Sequence, residues 1–158
     1  MKPSLPIRRG TLAAGLAALA LGTAAPALAQ KSVEFRYGHM NPPNSAAGLQ
    51  AQWLADAIAK NTAGSVKVTV YPSSQLGKLQ ELAEAVSTGT IALSHNTAGG
   101  IGSLYDGFSA LDTPYLYRDV DHLMKVMDTG SPVMKKLNEA LVKAAGVRVL
   151  YAYYFGTR

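Results

Sequence analysis

The chain has 158 residues, of which 48% are hydrophobic and 16% charged, and its formal charge is +5. This length allows one domain, and the aromatic and β-branched content is too high for an intrinsically disordered protein. The sequence contains no cysteine, which excludes disulfides, a cysteine nucleophile and a thiolate metal site.

The N-terminal segment, residues 1–29, has the layout of a secretory signal peptide. A basic start that includes Arg8 and Arg9 precedes an apolar stretch at 12–25, and an Ala-Leu-Ala cleavage motif ends at residue 29. The apolar stretch is shorter than the roughly 20 residues that span a bilayer. We therefore expect an exported, periplasmic protein that does not span the membrane after cleavage. The paired arginines leave open whether the general secretory or the twin-arginine route is used.

The positive charge belongs mostly to this segment. Residues 1–29 hold three of the fifteen basic residues and none of the ten acidic ones, so residues 30–158 carry a formal charge of +2. Nucleic-acid binding requires clustered positive charge on one face, and Lys135-Lys136 is the densest basic cluster left. The sequence therefore predicts no nucleic-acid partner.

Hydropathy patterns after residue 29 predict alternating strands and helices. Ser45 or Asn44 is expected to cap the first helix, and Gly146 to end the last one. In chain order, the predicted elements are a strand at 33–37, a helix at 46–60, a strand at 66–70, a helix at 79–86, a strand at 91–93, a turn-rich segment at 95–114, helices at 120–127 and 133–144, and a strand at 147–155.

This order predicts an α/β fold with a mostly parallel sheet flanked by helices. The last strand is apolar nearly throughout and is therefore expected to be central. In such sheets ligands bind outside the carboxyl ends of the strands. The loops after Tyr37, Val70, Leu93 and Phe155 are thus the places where a binding site is expected.

Three side chains in these loops are candidates for chemistry. His39 and His95 each follow a predicted strand and could face one cleft, either as polar loop residues or as general bases. Arg158 follows the last strand, where its planar guanidinium could pair with a carboxylate; an ordinary surface arginine is the alternative. A Gly-x-Ser-x-Gly motif is absent from the sequence, which disfavours a hydrolase of that class.

Two further motifs resemble cofactor sites but have simpler explanations. Asp119, Asp121 and His122 could be read as metal ligands, yet acidic residues are ordinary at a helix start, where they oppose the helix dipole. The glycine-rich run at 99–102 lacks the third glycine and the later acidic residue of a dinucleotide-binding loop. The sequence therefore predicts neither a metal nor a cofactor.

Five short segments, taken together and in order, resemble one protein family. They are Tyr-Gly-His-Met-Asn-Pro-Pro at 37–43, Tyr-Pro-Ser-Ser-Gln-Leu-Gly at 71–77, Thr-Gly-Thr-Ile at 88–91, Leu-Asp-Thr-Pro-Tyr-Leu at 111–116 and Tyr-Phe-Gly-Thr-Arg at 154–158. The resemblance is to the extracytoplasmic solute-binding subunit of tripartite ATP-independent periplasmic (TRAP) transporters, the dicarboxylate-binding-protein family. It extends from about residue 33 to the last residue.

The resemblance implies periplasmic capture of an organic acid, often a carboxylate, and its delivery to a membrane permease pair. It implies no enzymatic activity, and a fold of two α/β lobes that close over the ligand like a hinge. Arg158 would contact the ligand carboxylate. The polar contacts expected from the loops after the first and third strands are His39, Asn41, His95, Asn96 and Thr97.

Two departures from the family pattern bear on the ligand and on the extent of the chain. Lys78 and Leu79 follow Gly77 where some members have an acidic residue, and no glutamate lies near Thr97; both favour a plainer organic or aromatic acid over a sialic-acid-type ligand. The resemblance also implies a second arginine that pairs with the ligand carboxylate, in a later segment that this sequence does not include. We therefore expect residues 30–158 to be the first lobe, truncated at the crossover to the second, and to bind weakly alone.

Two other functions stay open at this point. A periplasmic domain of the same fold could sense the ligand for a signalling partner, which the absence of neighbouring permease genes would indicate. A periplasmic α/β enzyme using His39 or His95 is the third hypothesis. The sequence identifies neither the acid nor the number of its carboxylates.

Overall fold

A computed structural model of the chain describes residues 32–154. The predicted signal peptide and Arg158 lie outside these residues. In chain order the elements are β1 (Val33–Gly38), α1 (Ala46–Asn61), β2 (Val66–Tyr71), α2 (Leu79–Ser87), β3 (Leu93–Ser94), α3 (Ala98–Ile101), a 3₁₀ helix (Asp106–Asp112), α4 (Val120–Met127) and α5 (Pro132–Ala145).

The three strands form one parallel sheet in the order β2-β1-β3. Tyr37 of β1 lies opposite Val70 of β2 and Leu93 of β3. Since all three strands run in the same direction, the loops that follow them lie at one edge of the sheet. The predicted α/β class with a parallel sheet and flanking helices is confirmed.

Helix α1 packs through a face of very small residues. Ala47, Gly48, Ala51 and Ala55 are its buried positions. A Cβ atom at Gly48 would collide with the backbone carbonyl oxygens of the Pro42-Pro43 loop. The hydroxyl of Ser45 accepts a hydrogen bond from the Gly48 N–H at 3.1 Å, which confirms Ser45 as the N-cap and holds the loop after β1 against the helix.

A hydrophobic cluster lies in the C-terminal part of the described residues. It joins the 3₁₀ helix to α5, and its buried members are Phe108, Leu111, Met134 and Leu141. Helix α5 ends where predicted, because Gly146 adopts a left-handed backbone conformation with φ of 68°. Within residues 32–154, none of the helices combines the length and the hydropathy needed to cross a bilayer.

Two predicted elements differ from the structure. The third strand begins at Leu93 instead of residue 91, because the Ile91 N–H bonds to the carbonyl of Ala85 and so still belongs to the turn after α2. The prediction of a final central strand is wrong for its described part, since residues 147–154 belong to no strand.

The buried side chain of Asn138 gives a physical reason for the missing strand. Its Nδ2 donates to the Val149 carbonyl at 3.2 Å, and its Oδ1 accepts from the Val149 N–H at 2.8 Å. The amide group thus occupies the backbone donor and acceptor that a neighbouring strand would use. Apolar periodicity alone does not reveal such a competitor for the backbone.

Candidate functional site

The loops after β1 and β3 bring His39 and His95 together. The His39 N–H donates to the carbonyl of Tyr71 at 3.0 Å, and the His95 N–H donates to the carbonyl of Gly38 at 3.1 Å. The parallel ladder therefore continues one residue beyond the strands on both sides of β1. The centroids of the two imidazole rings are 6.4 Å apart, so these predicted site residues are neighbours.

The imidazole of His39 is buried and lacks normal hydrogen-bond partners. The side chain is 1% exposed, and neither ring nitrogen makes a hydrogen bond of normal geometry within residues 32–154. Burial lowers the pKa of His39, and the nearby backbone of Asn41 offsets part of that effect. His39 is therefore uncharged at neutral pH.

His95 is held in place by a tyrosine. Its Nδ1 lies 2.8 Å from the hydroxyl oxygen of Tyr153, and the two rings meet edge to face with centroids 4.7 Å apart. Burial, together with repulsion from His39 when that ring is protonated, lowers the pKa of His95 to about 4. Both histidines thus offer neutral imidazoles, each with one donor and one acceptor nitrogen.

Tyrosine rings complete what we call the His–Tyr cluster, formed by Tyr37, His39, His95, Tyr151 and Tyr153. The ring of Tyr37 lies 6.2 Å from that of His39, and the ring of Tyr151 lies 6.2 Å from that of Tyr153. Burial, with a smaller contribution from Tyr151, raises the pKa of Tyr37. The cluster therefore presents polar groups without formal charge at neutral pH.

A cavity of about 780 Å³ lies next to this cluster. It runs between β3 and the segment after α5, and its wall includes Tyr37, His95, Asn96, Tyr151 and Tyr153. Volumes of about 300–1,000 Å³ are typical of small-molecule sites. The cavity beside the cluster is thus of the right size for a small organic molecule.

The loop after β2 is fastened to the loop after β1. The Ser73 N–H donates to the Asn41 carbonyl at 3.0 Å, and the Ser74 N–H donates to the His39 carbonyl at 3.1 Å. Ser73 and Ser74 have φ values of 53° and 60°, a left-handed conformation that costs energy in a non-glycine residue. Hydropathy periodicity does not reveal this strained support of His39 and Asn41.

Asn96 and Thr97 use their side chains locally. The Asn96 Nδ2 donates to the Leu79 carbonyl at 2.7 Å, and its Oδ1 accepts from the Thr97 N–H at 3.0 Å. The Thr97 Oγ1 accepts from the Gly100 N–H at 3.1 Å and caps α3. These contacts join α2 to α3, so both residues lie beside His95 while their polar atoms bind backbone groups.

The two motifs that resemble cofactor sites have structural roles. The carboxylate of Asp112 accepts a hydrogen bond from the Gly99 N–H at 2.6 Å, so an anionic group already occupies the start of the glycine-rich run. The carboxylate of Asp119 accepts from the His122 N–H at 2.6 Å and caps α4, as the helix-start interpretation predicts. Within residues 32–154, no group of three or more potential metal ligands comes together.

Residues 37–158 match the sequence profile of the bacterial extracellular solute-binding proteins, family 7. The chain belongs to this family. Family 7 comprises solute-binding proteins that act outside the cytoplasm. The membership confirms the resemblance seen in the sequence.

Individual family 7 relatives give the same picture. The C4-dicarboxylate-binding periplasmic protein DctP of Rhodobacter capsulatus is 33% identical over 126 residues, covering 78% of this chain and 38% of the relative. A TRAP periplasmic solute-binding protein of Sulfurospirillum deleyianum, solved with succinate, is 29% identical with a TM-score of 0.62, covering 70% of this chain and 35% of the other. A TRAP periplasmic solute-binding protein of Polaromonas, solved with D-erythronate, is 29% identical with a TM-score of 0.65. The match covers 73% of this chain and 37% of the other.

The chain spans little more than a third of the length of these family 7 relatives. Their structures are two-lobed periplasmic binding proteins. The described sheet and helices correspond to a part of that architecture.

Proposed function

We propose that the full-length protein binds an organic acid in the periplasm and delivers it to a TRAP-type membrane permease. The observation that carries this proposal is the family 7 match over residues 37–158. Support also comes from relatives of similar fold whose solved structures hold succinate and D-erythronate. In this proposal residues 1–29 are the export signal, and residues 30–158 form the first lobe.

The carboxylate of the ligand is assigned to Arg158 in this proposal. An arginine side chain can form two parallel charge-assisted hydrogen bonds with a carboxylate. His39 and Asn41 after β1, and His95, Asn96 and Thr97 after β3, would supply polar contacts from the carboxyl edge of the sheet. Without ligand, the imidazoles there are uncharged and offer hydrogen-bond donors and acceptors to the polar groups of the acid.

Isothermal titration calorimetry of the full-length natural protein with succinate, D-erythronate and benzoate tests the function. We expect at least one acid to bind, and Arg158→Ala to weaken that binding about tenfold to a hundredfold, because a charge-assisted hydrogen bond contributes roughly 1.5–3 kcal/mol. Arg118→Ala, at an exposed position before α4, is the matched control and should leave the affinity unchanged.

Three results would count against the proposal. Failure of every acid to bind would remove the function, and equal affinities of wild type and Arg158→Ala would remove Arg158 from the site. Heat that continues to evolve after saturation would indicate turnover, and hence an enzyme. Arg158→Lys, which keeps the charge and loses the planar fork, distinguishes paired hydrogen bonding from simple charge attraction.

A further inference from the structure

The geometry of the His–Tyr cluster has a consequence for how an anion is bound. We infer that the His39–His95 pair takes up one proton when an organic acid binds at the carboxyl ends of β1 and β3. The proton comes from solvent and attaches to a ring nitrogen of the pair, so the anion and one positive charge enter the site together. This inference rests on the proposed function and adds a proton to the binding reaction.

Without ligand, the surroundings of the His39–His95 pair favour its uncharged form. Among the described residues, Tyr37 of β1 faces His39, and Tyr153, from the segment after α5, faces His95. Tyr151 lies beside Tyr153. Phenol groups add no positive or negative charge at neutral pH. Together with burial of His39, this surrounding favours the uncharged form of both histidines.

An arriving carboxylate favours the protonated form of the pair. A negative charge within a few ångströms stabilises the protonated form of a histidine, and burial strengthens that interaction because solvent screens it less. His39 also has ring nitrogens without normal hydrogen-bond partners within the described residues. A proton on one of these nitrogens would be favoured by the anion and would not displace an existing bond of normal geometry.

Repulsion between the two imidazoles limits the uptake to one proton. The two ring centroids are 6.4 Å apart, close enough for two positive charges to repel strongly inside a protein. The two histidines therefore titrate as one coupled unit, and the proton belongs to the pair. Binding that takes up one proton strengthens up to about tenfold for each pH unit of acidification.

The experiment measures proton uptake directly in the full-length natural protein. D-erythronate is titrated calorimetrically at about pH 6.5, near the ordinary pKa of histidine, in two buffers with different heats of ionisation. We expect the apparent enthalpies to differ in the sense of proton uptake, and the affinity to rise from about pH 8 to about pH 5, the range in which histidine titrates. Equal enthalpies and a pH-independent affinity would overturn the inference and leave the proposed function standing.

Variants assign the proton to the pair. His39→Asn and His95→Asn remove one titratable ring each, and we expect proton uptake to fall in at least one of them and to disappear in the double variant. His122→Asn removes the remaining histidine of the chain, at the start of α4, and should leave the uptake unchanged. Uptake that persists in both pair variants, or disappears in His122→Asn, would contradict the inference.

A measurement on the unmodified protein covers the case in which a pair variant does not fold. The imidazole nitrogen chemical shifts of His39 and His95 are followed by NMR against pH, with and without saturating D-erythronate. We expect the ligand to raise the titration midpoint of one of the two. Midpoints that the ligand does not move would overturn the inference, and a lack of binding would overturn both it and the proposed function.

Discussion

A buried histidine and a half-buried one contribute to how the stability of this protein responds to acid. His39 and His95 have lowered pKa values in the folded state because burial disfavours the charged ring. In the unfolded chain both return to the ordinary value of about 6.5. The unfolded state therefore binds more protons than the folded state below that pH.

We predict that the free energy of unfolding is constant above about pH 7 and falls as the pH drops from about 6.5 toward about 4. The change attributable to His95, whose pKa is lowered to about 4, should be about 1–2 kcal/mol after allowance for solvent screening. Urea unfolding at a series of pH values measures it. His95→Gln should flatten the curve, whereas a curve as steep as that of the wild type would contradict this origin.

The sequence predicted the two histidines as neighbours but not their surroundings. Both follow strands, and parallel strands bring such residues to one edge. The ring of His39 lies near that of Tyr37, a neighbour in sequence, and near that of His95, which follows a different strand. The hydroxyl of Tyr153 reaches His95 across 58 positions, and no local spacing encodes a contact of that kind.

Among the elements, α1 depends on the absence of side-chain volume on one face. Its buried positions are alanines and a glycine, which let the helix approach the loop after β1. This feature was present in the sequence, but helical periodicity does not distinguish a small face that fits closely from one that packs poorly.

We predict that Gly48→Ala destabilises the protein, although alanine normally favours a helix over glycine by about 1 kcal/mol. The added methyl group would meet the backbone carbonyls of Pro42 and Pro43, and overpacking typically costs about 1–3 kcal/mol. Chemical unfolding gives the free-energy difference. Ala57→Gly, at a half-buried position of the same helix, serves as a control for propensity alone; a more stable Gly48→Ala variant would show that the loop moves aside.

Most elements follow from local patterns, and the exceptions depend on competition for the backbone. Alternating and helical periodicities place β1, β2, α1, α4 and α5 within a residue or two of their positions. The segment 147–154 has a strand pattern as well, yet Asn138 binds the backbone of Val149. Hydropathy periodicity indicates the secondary structure that a segment favours. Whether a strand then pairs with a sheet depends on which other groups hydrogen-bond to its backbone.

For the molecule as a whole, stability is expected to be uneven between the sheet and the segment after α5. β1 is hydrogen-bonded on both sides, while residues 147–154 lie outside the strands. Leu150 and Tyr151 are 59% and 42% exposed. Regions with few backbone hydrogen bonds and exposed side chains open most readily.

We predict that backbone amides at 150–154 exchange with solvent much faster than those of β1 in a hydrogen-exchange mass spectrometry experiment. The Val149 amide, which donates to Asn138 at 2.8 Å, should exchange more slowly than its neighbours. Asn138→Ala should remove that protection while leaving β1 protected. Equal exchange rates across β1 and residues 150–154 would contradict the expected difference.

The main-chain bonds at the carboxyl edge also bear on how such a site can diversify. The backbone N–H groups of His39 and His95 bond to carbonyl groups of the sheet, so the path of the main chain there is fixed by bonds that do not involve the side chains. Substitution at either position can therefore change what the edge recognises without altering the path of the chain. Proline is the exception, since it lacks the N–H. One backbone scaffold can in this way serve descendants with different ligands.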